Sequence, residues 1–389
     1  MTQVDPLPHH PESQLIYPYG ETLAEAGQIM EIVPGIYWIR MPLPFALNHI
    51  NLWLLKDRVA DQEGWTIIDC GITNDETKIL WESIFANHLQ GLPILRVLVT
   101  HMHPDHIGLA HFLCERWQAP LWVSMSDFLM AQWLSSKEGG VAIGASSGSG
   151  GAVDHYARHG LLGSEDLERI RSRSDYYSRL VPQVPRRYRR IMEGDEVLIG
   201  DHRWRVSMGY GHAPEHATLY CSALNIFISG DMVLPRISTN VSVYDVDPDA
   251  DPLGLYLRSL DQWLSLPLDA FVLPSHGKPF KGLHTRIKQL HEHHRDRLSE
   301  TLDACQSPKH AFEIIPVLFR RKLDNHQLSF AMGEAIAHLN HLWHQRRRTA
   351  CFARTGFGAF ARLRLCRACL SLRARAWWVC HGIPKGFDC

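Results

Sequence analysis

Apolar residues along the chain follow two patterns: short stretches that alternate or run together, and longer stretches spaced by three or four. The short stretches are rich in β-branched and aromatic residues and predict strands, whereas the longer ones predict amphipathic helices. The nearly continuous run Ile94–Thr100 predicts a buried central strand. The first series of predicted elements comprises strands at Ile36–Met41, Ile50–Leu55, Trp65–Asp69, Ile94–Thr100 and Leu121–Ser124 and helices at Asp75–Gln90, Ile107–Trp117 and Asp127–Ser135.

A second series of strands follows a connecting region. There, Gly139–Gly151 predicts a flexible connector, because it lacks the Lys and Ser/Thr spacing of a phosphate-binding loop, and Asp154–Leu180 predicts a helical pair. The later predicted elements are strands at Glu196–Ile199, Trp204–Met208, Thr218–Cys221, Ile226–Ser229 and Ala270–Leu273 and helices at Leu253–Leu266, Leu283–Cys305, Ala311–Phe319 and Asn325–Gln345. Two similar series followed by helices predict an α+β fold with αββα layering rather than a doubly wound parallel sheet.

The same pattern divides the chain into four parts. Residues 1–28 are polar and rich in proline and predict a loose lead-in, and residues 29–282 form the main domain. Within it, residues 127–180 are expected to be a helical insertion that can act as a lid. Residues 283–345 form a helical region, and residues 346–389 form a basic tail that is expected not to be folded.

Charge separates this tail from the rest of the chain. Residues 346–389 carry ten Lys and Arg and one acidic residue, so the formal net charge of −1 combines a tail of +9 with a body of −10. The tail could be a nucleic-acid or membrane-binding arm, a metal module at Cys366-x-x-Cys369, or a segment without a selected fold, such as one translated in an altered reading frame. The last is favoured, because helical periodicity and acidic residues end abruptly there and the other tail cysteines lack common zinc spacing.

Composition excludes two classes of protein. With 45% hydrophobic and 21% charged residues, the chain has enough apolar material for a core, so it is not disordered as a whole. No run of about 18 apolar residues predicts a transmembrane helix, and the N-terminus lacks a basic region followed by an apolar one, so a cytoplasmic location is expected. The four scattered cysteines of the body predict no disulfide framework; they are Cys70, Cys114, Cys221 and Cys305.

Histidine and aspartate cluster where the predicted central strand ends. The sequence there reads His101-x-His103-x-Asp105-His106, with four potential metal ligands in six residues. His101 and His103 are two apart and therefore point the same way in extended backbone. Pro104 and the turn can redirect Asp105 and His106 to a neighbouring point. Groups at this density would repel or desolvate one another without a cation, and imidazole with carboxylate suits zinc, iron or manganese.

Three later strands also end in a small residue followed by a potential ligand. These are Gly211-His212, Gly230-Asp231 and Ser275-His276, where the small residue lets the backbone approach a metal or substrate closely. The candidate ligands from the four strand ends are His101, His103, Asp105, His106, His212, Asp231 and His276.

This ordered set resembles the metallo-β-lactamase-fold hydrolase superfamily over about residues 30–280. The first motif is that superfamily's signature, present without departure. The resemblance implies two divalent metal ions, zinc first, with iron or manganese as alternatives. It implies that His101, His103 and His212 bind the first ion, that Asp105, His106 and His276 bind the second, and that Asp231 bridges them. Aspartate rather than cysteine at 231 is similar to the hydroxyacylglutathione hydrolase, lactonase and ribonuclease branches and disfavours true β-lactamase activity.

Two further residues are expected beside the ligands. Asp69 matches an early strand-end aspartate of the same pattern and is expected to hold a ligand histidine in the right tautomer. His216 lies four residues after His212, which is nearer the strand end and is the better ligand. His216 is therefore expected to support the site, pairing with Glu215 or a neighbouring carboxylate.

The resemblance implies a hydrolase in which two metal ions roughly 3.5–4 Å apart activate a shared water for attack on a carbonyl or phosphoryl centre. Asp105 is the expected catalytic residue, orienting the nucleophile or shuttling a proton. The expected substrate is a small acyl compound: a thioester, an ester or a lactone. A nuclease on the same fold is the alternative, disfavoured by the body charge of −10. A di-iron redox or binding protein is less favoured, since no GxGxxG-type segment indicates a flavin domain.

The expected partner is a small-molecule substrate; a membrane partner is not expected because no transmembrane run is present, and nucleic acid is disfavoured by the body charge. Within the 127–180 insertion, four aromatic residues are candidates for contact with an acyl or aromatic group, although helical packing is their commoner role. They are Trp133, Tyr156, Tyr176 and Tyr177. The helices after Gly282 resemble the small helical or winged-helix-like appendage of some superfamily members.

Overall fold

Two mixed β-sheets form the centre of this computed structural model, which describes residues 11–136, 151–172, 175–320, 323, 325–346, 352–354 and 358–362. The first sheet has the order β1-β2-β3-β4-β5-β6-β7, antiparallel from β1 to β4 and parallel from β4 to β7. Its strands are β1 (Met30–Val33), β2 (Ile36–Pro42), β3 (His49–Val59), β4 (Gln62–Ile68), β5 (Ile94–Leu98), β6 (Leu121–Val123) and β7 (Tyr188–Arg190).

The second sheet has the order β13-β12-β11-β10-β9-β8, in which β11 and β12 are parallel and the other pairs antiparallel. Its strands are β8 (Glu196–Ile199), β9 (His202–Gly209), β10 (His216–Cys221), β11 (Ile226–Gly230), β12 (Phe271–Pro274) and β13 (Phe280–Lys281). The helices are α1 (Asp75–Asn87), α2 (Pro104–Ile107), α3 (Ala110–Trp117), α4 (Met125–Ser135), α5 (Gly151–Arg158), α6 (Ser164–Arg171), α7 (Tyr176–Leu180), α8 (Pro252–Gln262), α9 (Leu283–Ala304), α10 (Ala311–Leu318) and α11 (Asn325–Arg346), with 3₁₀ turns at Pro11–Gln14 and Trp263–Ser265.

Three apolar cores separate the layers. The inner core lies between the sheets, where Trp38 and Trp53 of the first sheet join Trp204 of the second in one buried cluster. The opposite face of the first sheet packs on α1, α3 and α4, with Trp81 of α1 fully buried. The opposite face of the second sheet packs on α8 and the C-terminal helices. Helices therefore cover both sheets, in agreement with the predicted αββα layering.

A buried ion pair within the first sheet also makes hydrogen bonds to the second sheet. Arg96 of β5 lies 2.6 Å from the carboxylate of Asp57 in β3, and both side chains are less than a tenth exposed. The same guanidinium donates to the carbonyl of Leu198 in β8 at 2.6 Å, and Asp57 accepts the backbone N–H of Gly200 at 2.9 Å. The edge of the second sheet is thereby held against the first.

The C-terminal helices share a single core with the outer face of the second sheet. Met332 and Ile336 of α11 are fully buried in the same cluster as Tyr256 of α8 and Leu283 of α9. The helical character of this region is as predicted, and its winged-helix-like character stays a prediction. Within the described residues, none of the helices combines the length and apolar character needed to cross a bilayer.

A two-stranded antiparallel hairpin, β14 (Phe352–Arg354) and β15 (Phe360–Arg362), follows α11. Phe360 is fully buried, and its backbone exchanges two 2.8 Å hydrogen bonds with Lys309. These strands differ from the expectation of an unfolded tail. The sequence did not predict them, because a single buried aromatic residue produces no repeating pattern of apolar positions. The remainder of the predicted tail, including the Cys366-x-x-Cys369 pair, lies outside the described residues, as does most of the Gly139–Gly151 connector.

Candidate metal centre

The first ligand loop connects β5 to α2 and α3. His103 is the extended N-cap residue of α2, and Pro104 occupies the first helical position, where its missing N–H costs nothing. The short helical turn carries Asp105 and His106 away from the extended residues before it. Gly108 ends the turn where a Cβ would lie 2.8 Å from the carbonyl oxygen of Gly71, so glycine permits the close approach of the two loops.

Three imidazoles converge on one point. The distance from His101 Nε2 to His103 Nδ1 is 2.8 Å, from His103 Nδ1 to His212 Nε2 3.0 Å, and from His212 Nε2 to His101 Nε2 3.2 Å. Burial, together with the neighbouring His106, lowers the pKa of His101 well below its usual value, and burial beside His212 lowers the pKa of His103 to about 3. Imidazole nitrogens that face one another at this distance form a donor set for a cation.

A second group lies beside the first and contains Asp105, His106 and His276. The distance from Asp105 Oδ2 to His276 Nε2 is 3.3 Å and that to His106 Nε2 is 3.7 Å. Burial would lower the pKa of His276, but Asp231 and Asp105 raise it to about 10. The carboxylates therefore favour a positive charge at this point.

Asp231 lies between the two groups. Its Oδ2 is 3.3 Å from His212 Nε2, and its Oδ1 is 3.5 Å from His106 Nε2 and 3.4 Å from His276 Nε2. Burial would raise the pKa of Asp231, yet His276 and His106 hold it well below its usual value. Within the described part of the chain, neither Asp231 Oδ1 nor His106 Nε2 has a hydrogen-bond partner although both are buried. Buried acceptors without partners fit residues that ligate cations.

Backbone carbonyls set the tautomers of two of these histidines. His212 donates from Nδ1 to the carbonyl of Asn240 at 2.7 Å, and His276 donates from Nδ1 to the carbonyl of His49 at 2.7 Å. Both Nε2 lone pairs are therefore directed into the site. The sequence pattern missed Asn240 and His49, because any residue type can present a carbonyl.

Asp69 lies beside His106, where the predicted orienting role requires it. Its Oδ2 accepts the Nδ1 proton of His106 at 2.8 Å, and its Oδ1 accepts the backbone N–H of Thr100 at 2.8 Å. Asp69 has a φ of 63°, a left-handed conformation that turns the chain sharply at the end of β4. His106 is thus held with Nε2 free to face Asp105 and Asp231.

His216 lies beside the candidate ligand His101, and its hydrogen-bond partner is a backbone amide. Its ring stacks on that of His101 at 4.5 Å between centroids, and its Nε2 accepts the backbone N–H of Asp231 at 3.0 Å. The expected partner was the carboxylate of Glu215 or a neighbour. The backbone amide of Asp231 occupies Nε2, so this nitrogen is not available to a carboxylate.

Asp127 is a further buried residue that sequence reasoning did not select. Its carboxylate accepts the backbone N–H of Met102 at 2.9 Å and that of Glu215 at 2.8 Å, so it joins the first ligand loop to the loop after His212. Burial raises its pKa to about 6. The Ser124-x-x-Asp127 spacing predicts the helix cap that these two residues form. Nothing in the sequence indicates that the carboxylate of Asp127 also accepts two backbone N–H groups from other loops.

A cavity of about 360 Å³ opens directly onto His103 and His212. Tyr156 of α5 and Tyr176 and Tyr177 of α7 line it, whereas Trp133 of α4 lies outside the lining and is 38% exposed; contact of these side chains with an acyl or aromatic group stays a prediction. The C-terminal helix α11 contributes Ser329 and Phe330 to the opposite wall. The donor groups therefore stand at the end of a chamber built by both appended regions.

Comparison with known proteins agrees with the site and the fold. Residues 47–298 match the model of the metallo-β-lactamase superfamily, and residues 298–362 match that of the metallo-β-lactamase-like C-terminal domain. A β-lactamase domain protein from Burkholderia ambifaria is 50% identical with a TM-score of 0.83, over 91% of this chain and 99% of that chain. A metallo-β-lactamase family protein from Thermus thermophilus is 25% identical with a TM-score of 0.68, over 86% of this chain and 100% of that chain.

A curated relative carries a description of activity. The Bacillus subtilis protein named "Probable metallo-hydrolase YqjP" is 25% identical over 316 residues, which cover 78% of this chain and 90% of its own length.

Proposed function

Because the chain belongs to the metallo-β-lactamase superfamily, we propose that it is a binuclear metal-dependent hydrolase of a small acyl compound: an ester, a thioester or a lactone. The observation that carries the proposal is the continuity of the donor groups. His101 belongs both to the group with His103 and His212 and to the group with His106 and Asp231, so two donor sets adjoin. Two divalent cations, zinc first, would supply Lewis-acid activation of a water and of the substrate carbonyl when bound.

The residues of the chain divide this work between them. His101, His103 and His212 would hold one cation, Asp105, His106 and His276 the other, and Asp231 would bridge them. Asp105 has the more exposed of the two carboxylates, 19% against 10% for Asp231. It is therefore placed to orient the attacking water and to pass its proton to solvent, the catalytic role that we assign to it.

The test combines metal analysis with a substrate screen. The full chain is purified, its bound metal is measured by mass spectrometry, and thioester, ester, lactone, β-lactam and RNA substrates are compared. We expect about two equivalents of divalent metal and hydrolysis of at least one acyl class. Hydrolysis of RNA alone would favour the nuclease instead, and an iron pair without any hydrolysis would favour a redox or binding protein.

Variants separate loss of chemistry from loss of fold. His103→Ala and Asp231→Ala are expected to remove hydrolysis while the circular dichroism spectrum is kept. His202→Ala, at the start of β9 and away from the site, is the matched histidine control and should retain full turnover. Turnover by a folded Asp231→Ala protein of verified metal content would contradict the assignment.

A further inference from the structure

The cavity beside the ligands has walls that are mainly apolar. Its lining includes Met130, Leu134, Ile170, Val243 and Leu255, contributed by helices α4, α6 and α8 and by the loop before α8. Apolar walls gain from contact with apolar ligand surface, at about 25 cal/mol for each Å² removed from water. The chamber therefore favours a hydrocarbon group over a polar one.

Three of the hydroxyl groups on these walls donate to acceptors within the protein. Tyr177 donates to the carbonyl of Met102 at 2.5 Å, Tyr156 donates to the carbonyl of Ser329 at 3.3 Å, and Ser242 donates to the side chain of Asn240 at 2.8 Å. Their hydrogens are directed into the protein rather than toward a ligand. A polar substrate group placed here would lose its hydration without gaining equivalent hydrogen bonds.

The charge of the lining disfavours binding of an anionic substrate group in the cavity. Asp247 supplies the one acidic side chain, and no lysine or arginine is present among the described lining residues. Phosphate and carboxylate groups bind through Arg, Lys or clustered backbone N–H groups. A phosphate or carboxylate group lying against these walls would therefore meet the Asp247 carboxylate and no lysine or arginine side chain.

The rim of the chamber is also apolar. Leu255, Phe330, Tyr244 and Val246 line the cavity, yet each remains between 36% and 49% exposed. Clustered exposed apolar side chains next to a site are typical of surfaces that receive an apolar ligand.

We propose that this cavity binds the acyl or aryl part of the substrate, and that this part is a neutral, medium-length hydrocarbon chain or ring system. The proposal rests on the proposed function, since the cavity opens onto His103 and His212, where the scissile carbonyl would lie. A volume of about 360 Å³ equals that of roughly a dozen liquid waters. The preferred chains should accordingly be hexanoyl to decanoyl rather than acetyl.

The first experiment is a chain-length series. The metal-loaded full chain is assayed with 4-nitrophenyl acetate, butyrate, hexanoate, octanoate and decanoate. We expect kcat/KM to rise about fourfold for each added methylene. Burial of one methylene contributes about 0.8 kcal/mol, and 1.36 kcal/mol corresponds to a factor of ten. Analogues of the same length that end in a carboxylate should fall back to the level of the short esters. A flat length profile, or equal rates for the charged analogues, would overturn the inference and leave the proposed hydrolase standing.

A matched pair of variants locates the effect. Leu255→Trp places an indole in the cavity, and Leu264→Trp makes the same change at a leucine of similar exposure, 43% against 40%, outside the lining. We expect Leu255→Trp to lower the octanoate-to-acetate ratio of kcat/KM at least tenfold and Leu264→Trp to leave the ratio unchanged. An unchanged ratio in both variants would place the apolar selectivity elsewhere and overturn the assignment.

A binding measurement separates failure of the two proposals. Neutral alkyl amides from butanamide to decanamide are titrated by calorimetry into the metal-loaded protein. Affinity that rises with chain length, with a negative heat-capacity change, supports the apolar cavity even if no ester is hydrolysed, in which case the proposed function fails alone. Absence of a length dependence in both binding and turnover overturns the inference.

Discussion

The carboxylate of Asp69 accepts the Nδ1 proton of His106 at 2.8 Å and so directs the opposite ring nitrogen into the candidate metal centre. The same carboxylate accepts the N–H of Thr100, at the start of the loop that carries the histidines. One residue thereby fixes both the tautomer of a ligand and the start of the ligand loop. Loss of such a supporting contact typically lowers metal affinity or activity about 10- to 100-fold.

Asp69→Asn should weaken metal binding about 10- to 100-fold while the protein stays folded. The substituted side chain can still accept from Thr100, but its NH₂ group would face His106 and favour the tautomer with the proton on Nε2. That proton would point into the site where the lone pair is needed. The measurement is competition for zinc with a chromophoric chelator.

The control for this prediction is Asp61→Asn, a change of the same chemistry at an exposed position in the turn between β3 and β4. Its zinc affinity should equal that of the parent chain. If Asp69→Asn also binds zinc as tightly as the parent, the orienting role of Asp69 is wrong.

The sequence predicted the candidate ligands because their spacing is local and chemically distinctive. His101 and His103 follow a strand, and each later ligand follows a small residue at a strand end, so all of them can be found without tertiary information. The carbonyls of Asn240 and His49 could not be found in this way. They act through backbone atoms that every residue carries, and only the folded chain brings them to His212 and His276.

The secondary structure, too, includes elements that the sequence predicted and elements that it did not. Strands with a strong alternating or continuous apolar pattern were predicted within a few residues, whereas β7 was missed. Tyr188–Arg190 is three residues long and basic, and it forms a strand because β6 offers a parallel edge to pair with. Arg189 lies over the ring of Trp122 at 4.2 Å, a contact between neighbouring strands that no sequence period announces.

The ion pair of Asp57 with Arg96 should be among the most sensitive points of the fold. Asp57→Ala leaves a buried guanidinium without its carboxylate, and loss of one partner of a buried pair costs about 3–5 kcal/mol. The free energy of unfolding is measured by urea denaturation. The matched control is Asp201→Ala, which removes the exposed partner of Arg58 at 3.1 Å and should cost at most about 1 kcal/mol. Equal losses in the two variants would contradict the prediction.

Acid should destabilise the packing of the C-terminal helices through buried histidines. His294 of α9 and His338 of α11 lie with ring centroids 5.6 Å apart, and in the described structure neither nitrogen of His294 has a hydrogen-bond partner. Burial lowers the pKa of His338 to about 4 and that of His294 well below its usual value. The unfolded chain binds protons at about pH 6.5, so this stability is complete above that pH and is lost as the pH falls toward 4.

His294→Phe tests this expectation. Between pH 7 and pH 5, the free energy of unfolding should fall by about 2 kcal/mol less in this variant than in the parent chain. One proton-binding site has been removed, and each such site contributes at most about 1.4 kcal/mol per pH unit. His202→Phe, away from this helix pair, should show the same pH dependence as the parent chain. Parallel pH profiles for His294→Phe and the parent would show that His294 takes up no proton on unfolding.

Gly230 should be required for the metal centre because a side chain at this position would clash with a neighbouring ring, in addition to straining the backbone. At a φ of +53°, a Cβ on Gly230 would lie 2.2 Å from Cε1 of His216, the ring that supports the backbone of Asp231. Gly20 has the same φ of +53°, but a Cβ there would meet no atom within 4 Å, so Gly20→Ala reports backbone strain without the clash.

Both alanine variants should lose roughly 1–2 kcal/mol of unfolding free energy from the left-handed backbone. Gly230→Ala alone should also lose bound metal, because displacement of His216 moves Asp231 from between the two donor groups. Metal content and urea denaturation measured on both variants check this, and full metal occupancy in Gly230→Ala would show that the ring of His216 can yield without disturbing Asp231.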